Sequence, residues 1–390
     1  EDLVMIRPFT LDPFQAEVPE ADLEELRTRL AGARWPERET VDDWSQGVPL
    51  DYLREVAEYW RTAHDWRRAE RDLNSLDQFV TDIEGHSIHF IHARSPHAEA
   101  LPIVITHGWP GSVLEFQRVI APLVDPTQHG GEASDAFHVV CPSLPGFGFS
   151  SKPTAAGTGV PEIAEMWTTL MERLGYERWV AQGGDWGSAV TTAIGRLATA
   201  ADGAHGCVGI HLNMPVAAPT PEAMSDPSPA DQAAMAAFMH YQEVESGYSK
   251  QQSTRPQTLG YGLTDSPVGQ LAWILEKFQA WTDCDGHPEN AIDRDVILDI
   301  VAHYWLTASA ASSARLYWES FASFSPGPRV EIPTGVAAFP HEIIRAPRSW
   351  CDEAFEITHW TDMPRGGHFA ALEQPELFVE DLRDCFRALR

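Results

Sequence analysis

The residues with the clearest chemical potential in this sequence are Gly183-Gly184-Asp185-Trp186-Gly187-Ser188, which lie between an apolar run and a helical pattern. Glycines flank the central residue because a Cβ there would collide with a neighbouring strand or helix. A strand, tight turn and helix of this kind present a nucleophile at the strand end. A serine would attack acyl carbon, whereas the carboxylate of Asp185 attacks saturated, electrophilic carbon and forms an alkyl ester. A glycine-rich loop with an N-capping Asp is the alternative interpretation of these residues.

An alkyl ester has to be hydrolysed by a water that a base activates, and His368 is the candidate base. It follows two glycines near the C-terminus, after the last predicted strand. The acid that orients this histidine is expected on the loop after the preceding strand, where the sequence places Glu342. Asp352 and Asp362 are alternatives for the acid. The chain order of nucleophile, acid and base is that of the α/β hydrolases.

The loop His107-Gly108-Trp109-Pro110-Gly111-Ser112 follows a predicted strand and is a candidate source of backbone hydrogen-bond donors. In an α/β hydrolase, this loop and the residue after the nucleophile each give one N–H group to the oxyanion hole. We therefore assign these donors to the backbone N–H groups of Trp109 and Trp186, which would stabilise the tetrahedral intermediate of ester hydrolysis. The tight turn also predicts a cis bond between Trp109 and Pro110. His107 is expected to hold the loop rather than to act in chemistry.

The elements that must position these residues alternate between strands and helices from His86 onwards. Continuous apolar runs predict strands buried on both faces, and the helices between them predict an α/β fold with a mostly parallel sheet. Predicted strands cover 87–92, 101–106, 137–142, 179–182, 207–212, 335–339 and 355–357. Predicted helices cover 21–30, 52–64, 113–123, 162–174, 188–198, 229–245, 267–282, 293–304, 310–321 and 375–389. Ligands then gather at the carboxyl ends of the strands.

The strand pattern disappears between about Pro215 and Pro326, where helical patterns dominate, so the sequence predicts an inserted helical cap. We expect four segments, which are an N-terminal helical arm over 1–85, the first part of an α/β-hydrolase core over 86–214, the cap over 215–327, and the second part of the core over 328–390. The arm is expected to pack on the core, because it carries no nucleophile and base pair.

Composition excludes several classes of partner. The net charge of −29 and the pI of about 4.8 argue against nucleic acid or an anionic membrane surface. Five cysteines match no zinc spacing and fit buried thiols in a reducing cytoplasm. No run approaches the roughly 20 apolar residues of a membrane span, and residues 1–8 show no signal-peptide pattern. Three lysines among 28 basic residues are typical of a GC-rich bacterial genome.

Seven motifs together give the chain a resemblance to the epoxide hydrolases of the microsomal type, a group that includes the juvenile-hormone epoxide hydrolases. They are Arg34–Pro36, His107–Ser112, Gly183–Ser188, His211–Met214, Asp265–Gly269, Ile274–Phe278 and Arg365–Ala371. The resemblance covers nearly the whole chain and implies conversion of an epoxide to a vicinal diol with no metal or cofactor. The animal members have an N-terminal membrane anchor, which this chain is expected to lack.

The resemblance also implies that two cap tyrosines donate hydrogen bonds to the epoxide oxygen. The matching positions are Tyr248 and Tyr317. Such donors are needed because ring opening develops an alkoxide, to which a phenol can supply a proton. Without the resemblance, Tyr261 and Tyr304 would be equally eligible, and any of these tyrosines could be an ordinary packing residue.

Two other functions stay open from the sequence. A haloalkane dehalogenase uses the same carboxylate and histidine but binds halide through donors such as Trp109 and Trp186. A non-enzymatic binding protein of this fold typically loses the nucleophile or the base, whereas Asp185 and His368 are both present. The expected partner is a small-molecule epoxide, bulky and apolar or aromatic, in natural-product biosynthesis. A homodimer is compatible with the sequence.

Overall fold

A nine-stranded sheet positions the candidate residues within the part of the chain that the computed structural model describes, residues 10–201, 205–325 and 327–390. The strands are β1 (Asp12–Phe14), β2 (Gln78–Ile83), β3 (His86–Ala93), β4 (Leu101–Thr106), β5 (Phe137–Pro142), β6 (Trp179–Gly183), β7 (Cys207–Leu212), β8 (Val330–Ala338) and β9 (Phe355–Asp362). Their order is β1-β2-β3-β5-β4-β6-β7-β8-β9. The three pairings from β1 to β5 are antiparallel and the remaining pairings are parallel. The predicted α/β fold with a mostly parallel sheet is confirmed.

The central strands are where the sequence predicts them, because they are apolar along their whole length. The observed bounds of β4, β5 and β7 coincide with the predicted strands. Ile103, Val104 and Ile105 of β4 are completely buried. In the register of the sheet, Thr106 at the end of β4 lies opposite Gly183 at the end of β6. The loops that follow these two strands therefore emerge side by side.

Sixteen α-helices surround the sheet in the described residues. They are α1 (Glu20–Ala31), α2 (Leu50–Thr62), α3 (Trp66–Asn74), α4 (Gln117–Val124), α5 (Val160–Arg173), α6 (Trp186–Ala200), α7 (Pro221–Ser225), α8 (Pro229–His240), α9 (Gly247–Thr254), α10 (Pro256–Asp265), α11 (Pro267–Trp281), α12 (Arg294–Leu306), α13 (Ala310–Ser320), α14 (Arg348–Ala354), α15 (Ala370–Glu373) and α16 (Pro375–Phe386). The sequence pattern does not predict α3, α7, α9, α10, α14 or α15. None of the helices in the described ranges is long and apolar enough to cross a membrane. The N-terminal residues 1–8, predicted to carry no signal peptide, lie outside those ranges.

The arm, here residues 10–85, contributes to the sheet as well as packing beside it. Its first strand, β1, pairs with β2, and β2 pairs with β3. Neither strand is predicted from the sequence. A run of three residues such as β1 is too short to show a period. Strand β2 mixes polar and apolar residues, so its own pattern gives no clear strand prediction, and pairing with its neighbours stabilises it.

The arm also holds the cap, here helices α7–α13, against the core. Asp299 on α12 is buried and binds two arm side chains, His64 at 2.8 Å and Arg68 at 2.7 Å. The same helix carries Tyr304, whose hydroxyl donates to the carbonyl of Gly111 over 2.8 Å. Helix α12 therefore connects the arm on one side to the loop after β4 on the other.

Candidate active site

Asp185 lies at the turn between β6 and α6, in a backbone conformation that an ordinary residue rarely adopts. Its φ is 51° and its ψ is −127°. Such positive-φ conformations cost on the order of 1–3 kcal/mol and cluster at functional sites. The flanking glycines are required, because a Cβ on Gly187 would lie 1.9 Å from the carbonyl oxygen of Thr106 and one on Gly183 would lie 2.0 Å from that of Gly187. The strand, turn and helix predicted at the motif are all present.

The Asp185 carboxylate is buried and held from two sides. The backbone N–H of Trp109 donates to Oδ1 over 2.7 Å, and Nε2 of His368 lies 3.4 Å from Oδ2. The bond between Trp109 and Pro110 is cis, as predicted. A Cβ on Gly108 would lie 2.1 Å from Oδ1, so this glycine allows the loop to approach the carboxylate. Trp109 thus already contacts the oxygen that would become the ester carbonyl oxygen.

His368 is connected to Glu342 on its other ring nitrogen. Nδ1 lies 2.5 Å from Oε1 of Glu342. The backbone N–H of His368 donates to the carbonyl of Trp281 over 2.9 Å. Both side chains are almost completely buried. Burial disfavours the imidazolium, but the negative charges of Glu342 and Asp185 outweigh it and raise the pKa of His368 well above its ordinary value. His368, the candidate base, and Glu342 are therefore preassembled beside Asp185, the candidate nucleophile.

The two alternative acids lie elsewhere. Asp352 is half exposed and lies 3.7 Å from Arg348. Asp362 accepts a hydrogen bond from Nε1 of Trp360 over 3.0 Å. Of the three carboxylates considered from the sequence, the structure brings Glu342 to His368.

Tyr248 and Tyr317 extend from cap helices α9 and α13 onto the rings of the two tryptophans next to the nucleophile. The Tyr248 ring stacks on Trp109 with centroids 5.1 Å apart, and the Tyr317 ring meets Trp186 edge-on at 4.8 Å. Both tyrosines are buried, and within the described residues the Tyr317 hydroxyl has no hydrogen-bond partner. Burial, with the nearby charge of Asp185, raises the pKa of both phenols well above the ordinary value, so both stay protonated.

The rival tyrosines have different environments. The Tyr304 hydroxyl already donates a hydrogen bond to the carbonyl of Gly111, and Tyr261 is 70% exposed. Tyr248 and Tyr317 therefore contact Trp109 and Trp186 beside Asp185, whereas Tyr261 and Tyr304 have other surroundings.

Three further polar residues near the strand ends have structural partners. His107 holds the loop as expected, because Nδ1 contacts the carbonyl of Gly108 at 2.9 Å and Nε2 accepts from the N–H of Leu144 at 3.2 Å. Burial lowers the pKa of His107 to about 4, so it is neutral. His211 is bound to Asp381 at 2.8 Å, and Asn213 accepts from Gln182 at 2.8 Å.

Several residues lie in the site although the sequence does not predict their presence there. Trp281 contacts His368 through its ring, with centroids 4.9 Å apart, as well as through its carbonyl. The hydroxyl of Tyr241 lies 3.0 Å from that of Tyr248. Glu115 forms a capping box with Ser112, and this S-x-x-E pattern can be read from the sequence, although its proximity to the nucleophile cannot.

A small cavity of about 20 Å³ is lined by Asp185, His368, Glu115 and Asn213, among other residues. A cavity needs roughly 10–15 Å³ to hold one water molecule, and this one is polar enough to bind it. The space therefore fits one water molecule in a cavity that Asp185 and His368 both line.

The comparisons with known proteins agree with this geometry. A family model described as the epoxide hydrolase N-terminus matches residues 11–116, and one for the alpha/beta hydrolase fold matches residues 102–261. The chain is 54% identical to a protein from Stigmatella aurantiaca whose name places it among the epoxide hydrolases, over 97% of this chain and 86% of that one. The chain belongs to the epoxide hydrolase family. Its enzymatic class is therefore epoxide hydrolysis, and the dehalogenase and binding-protein alternatives are set aside.

Two further relatives show that this epoxide hydrolase resembles the microsomal and juvenile-hormone group. Epoxide hydrolase 1 of Sus scrofa is 34% identical over 96% of this chain and 88% of the pig protein. The crystal structure of the juvenile hormone epoxide hydrolase of Bombyx mori superposes with a TM-score of 0.87 at 29% identity, covering 98% of this chain and 96% of that one. The similarity extends over the arm, core and cap.

In this epoxide hydrolase, Glu115 gives a prediction for alkaline pH. Burial raises the pKa of Glu115 to about 8, so the side chain is a neutral acid below that pH and an anion above it. The anion would oppose the negative charge of the tetrahedral intermediate that forms when an ester on Asp185 is hydrolysed, so the parent should lose hydrolysis rate above pH 8. Glu115→Gln mimics the neutral acid and should keep its rate there, as measured by the pH dependence of kcat. Glu58→Gln, an exposed control, should follow the parent. An alkaline loss of rate that Glu115→Gln shares with the parent would contradict this prediction.

Proposed function

We propose that this protein converts a bulky apolar or aromatic epoxide to a vicinal diol through a hydroxyalkyl ester on Asp185. The observation that carries the proposal is the set of core residues and cap residues that surround the Asp185 carboxylate. The core side provides the Trp109 N–H at 2.7 Å and His368 at 3.4 Å. The cap side provides Tyr248 and Tyr317, two buried phenols packed on the tryptophans that flank the nucleophile.

In the first step, Oδ2 of Asp185 attacks an epoxide carbon. The carbon–oxygen bond of the ring breaks as the new ester bond forms, and the ring oxygen takes its proton from the tyrosine pair. Trp109 holds Oδ1, which leaves Oδ2 as the attacking atom. Placing the nucleophile and the proton donors on opposite sides of the substrate suits a displacement that proceeds from behind.

In the second step, His368 removes a proton from a water that attacks the carbonyl carbon of the ester. Alkylation itself prepares His368 for this role, because it removes the Asp185 charge that helps to keep the imidazole protonated. The oxyanion is stabilised by the backbone N–H groups of Trp109 and Trp186. Glu342 orients the imidazole and stabilises its charged form. Collapse of the intermediate expels the alkoxide oxygen of the product, which takes the proton from the His368 imidazolium, and the diol leaves. The Asp185 carboxyl group then gives up its proton, which restores the tyrosine phenol and the carboxylate.

The proposed substrate class is supported by a second cavity of about 390 Å³, which borders the site because Glu342 and Asn213 are part of its lining. Small-molecule sites typically span roughly 300–1,000 Å³. Most residues that line this cavity are apolar, among them Pro215, Ala230, Ala233, Ala234, Phe339, Ile344, Trp360 and Met363. A bulky hydrocarbon or aromatic substituent on the epoxide would fit it.

We propose a biosynthetic role in the cytoplasm, acting on an apolar natural-product epoxide. All five cysteines are buried free thiols, in keeping with a reducing compartment. A large apolar cavity suits a substantial metabolite better than a small toxic oxide. Loss of the gene should lead the cell to accumulate the epoxide rather than the diol.

Single-turnover hydrolysis in heavy-oxygen water tests the covalent pathway. With enzyme in excess over epoxide, the first diol should contain little label, because its new oxygen comes from Oδ2 of Asp185. The label should appear in the Asp185 carboxylate, as peptide mass spectrometry can show, and later turnovers should release labelled diol. Full labelling of the first diol would mean that water attacks the epoxide directly, and the ester mechanism would be wrong.

A further inference from the structure

Lys277 on α11 is a buried lysine next to the site, and none of the steps proposed above uses it. Its side chain is 3% exposed, whereas Lys152 and Lys250 are both exposed. Lysine is almost never fully buried unless it is paired or has a specific role. Its segment, Ile274–Phe278, is among the motifs that characterise the sequence. The position of the ammonium group therefore needs an explanation.

The Lys277 ammonium lies over the aromatic ring of Tyr248. Nζ is 4.7 Å from the centroid of that ring and 5.6 Å from the ring of Trp281. A cation over an aromatic face is attracted by the ring, and the attraction is stronger away from water. Nζ also binds Oε1 of Glu276 at 2.7 Å, and the charge of Lys277 acts on Glu245. The Glu276 side chain is 30% exposed, so solvent screens its charge more than that of Lys277.

Ring opening moves negative charge toward this cation. The Asp185 carboxylate becomes a neutral ester, and the proton that Tyr248 gives to the ring oxygen leaves a phenolate behind. The proton released when the Asp185 carboxyl group is regenerated restores the phenol. Burial, with Tyr317, Tyr241 and Asp185 nearby, raises the pKa of Tyr248 well above its ordinary value, so loss of the proton is costly.

We propose that Lys277 is a positioning residue for ring opening, which acts by holding the Tyr248 ring and stabilising the negative charge that develops on its hydroxyl. This inference rests on the proposed function, in which Tyr248 is a proton donor. Lys277 has no contact with the substrate in this scheme. Its effect should be confined to alkylation of Asp185, because hydrolysis of the ester does not deprotonate the phenol.

The test compares the alkylation and hydrolysis rates of Lys277→Met and Lys277→Arg in the full chain, with styrene oxide as the probe. Methionine keeps length without charge, and arginine keeps the charge. A buried cation–π contact predicts that Lys277→Met slows alkylation about 10-fold or more. Hydrolysis of the preformed ester should change little, and Lys277→Arg should recover most of the alkylation rate. Equal loss in both steps would show that Lys277 only supports packing, and the inference would be wrong.

A double-mutant cycle with Tyr248→Phe shows whether Lys277 acts through the phenol. Removing the hydroxyl should abolish the effect of Lys277→Met, because no phenolate can form. An equal effect in the Tyr248→Phe background would overturn the inference. If Tyr248→Phe slows alkylation and Lys277→Met does not, this inference alone fails. If Tyr248→Phe does not slow alkylation, the proton-donor role in the proposed function fails as well.

Glu276→Gln keeps the proposal testable if Lys277→Met does not fold. This change keeps the shape of the side chain and removes the charge that opposes Lys277. Alkylation should be as fast as in the parent or faster, because the ammonium is no longer neutralised. Slower alkylation would show that the ion pair, and not the cation, matters, and would overturn the proposal.

Discussion

Replacing His368 with glutamine should trap the enzyme as an ester on Asp185. The nucleophile and the phenols remain, so alkylation proceeds, whereas no base remains to activate the water. General-base catalysis typically contributes about 10²–10⁴-fold to the rate, so hydrolysis should fall by on the order of 1,000-fold. Intact-protein mass spectrometry after mixing with epoxide should show one added substrate mass per chain. Epoxide consumption should stop after one equivalent, with almost no diol released.

His359→Gln is a matched control, because His359 also binds a carboxylate, Asp381 at 2.8 Å, but lies outside the site. It should form no lasting adduct. Glu342→Gln should slow hydrolysis less than loss of the base, since it weakens the orientation of His368 without removing it. Sustained diol production by His368→Gln with no adduct would exclude His368 as the base. An unchanged rate in Glu342→Gln would assign the acid role to another carboxylate.

Replacing both Tyr248 and Tyr317 with phenylalanine should nearly abolish alkylation. In the proposed mechanism each buried phenol donates to the developing alkoxide, and removal of one such preorganised donor typically costs on the order of 100-fold or more in rate. A single Phe variant leaves the other phenol in place and should lose part of the rate. Pre-steady-state alkylation of Asp185 by styrene oxide measures all three variants.

The fold should survive these changes, because only hydroxyl groups are removed and the ring contacts with Trp109 and Trp186 remain. Tyr261→Phe is the control for loss of a phenol, since Tyr261 is 70% exposed. It should alkylate like the parent. Parent-like alkylation by the double variant would mean that both tyrosines only pack in the cap, and a different acid would have to be sought.

The turn that carries Asp185 is the part of the site that sequence predicts best, because its requirements are local. Asp185 needs a preceding strand, a following helix and small neighbours, and all three are contiguous in the chain. The link between His368 and Glu342 also follows from chain order. Proximity of the acid to the base, by contrast, depends on where β8 and β9 end in the sheet, so chain order alone leaves Asp352 and Asp362 as alternatives to Glu342.

The contributions of the cap and arm were harder to predict for a physical reason. Trp281 and Lys277 lie on one helix whose pattern is that of any buried helix, and their contacts with His368 and Tyr248 join segments far apart in the chain. Helix α9 is short and polar and shows no apolar period. Strand β1 has three residues. Each of these elements is stabilised by tertiary contacts, which cannot be predicted from the local sequence pattern.

Exchanging the cap between members of this family would require exchanging the arm as well. Asp299 on α12 depends on His64 and Arg68 of the arm. A graft that left those partners behind would bury an uncompensated carboxylate, which typically costs about 3–5 kcal/mol. Recombination experiments that aim to change substrate range should therefore place their junctions so that these two segments, more than 200 residues apart, are inherited together.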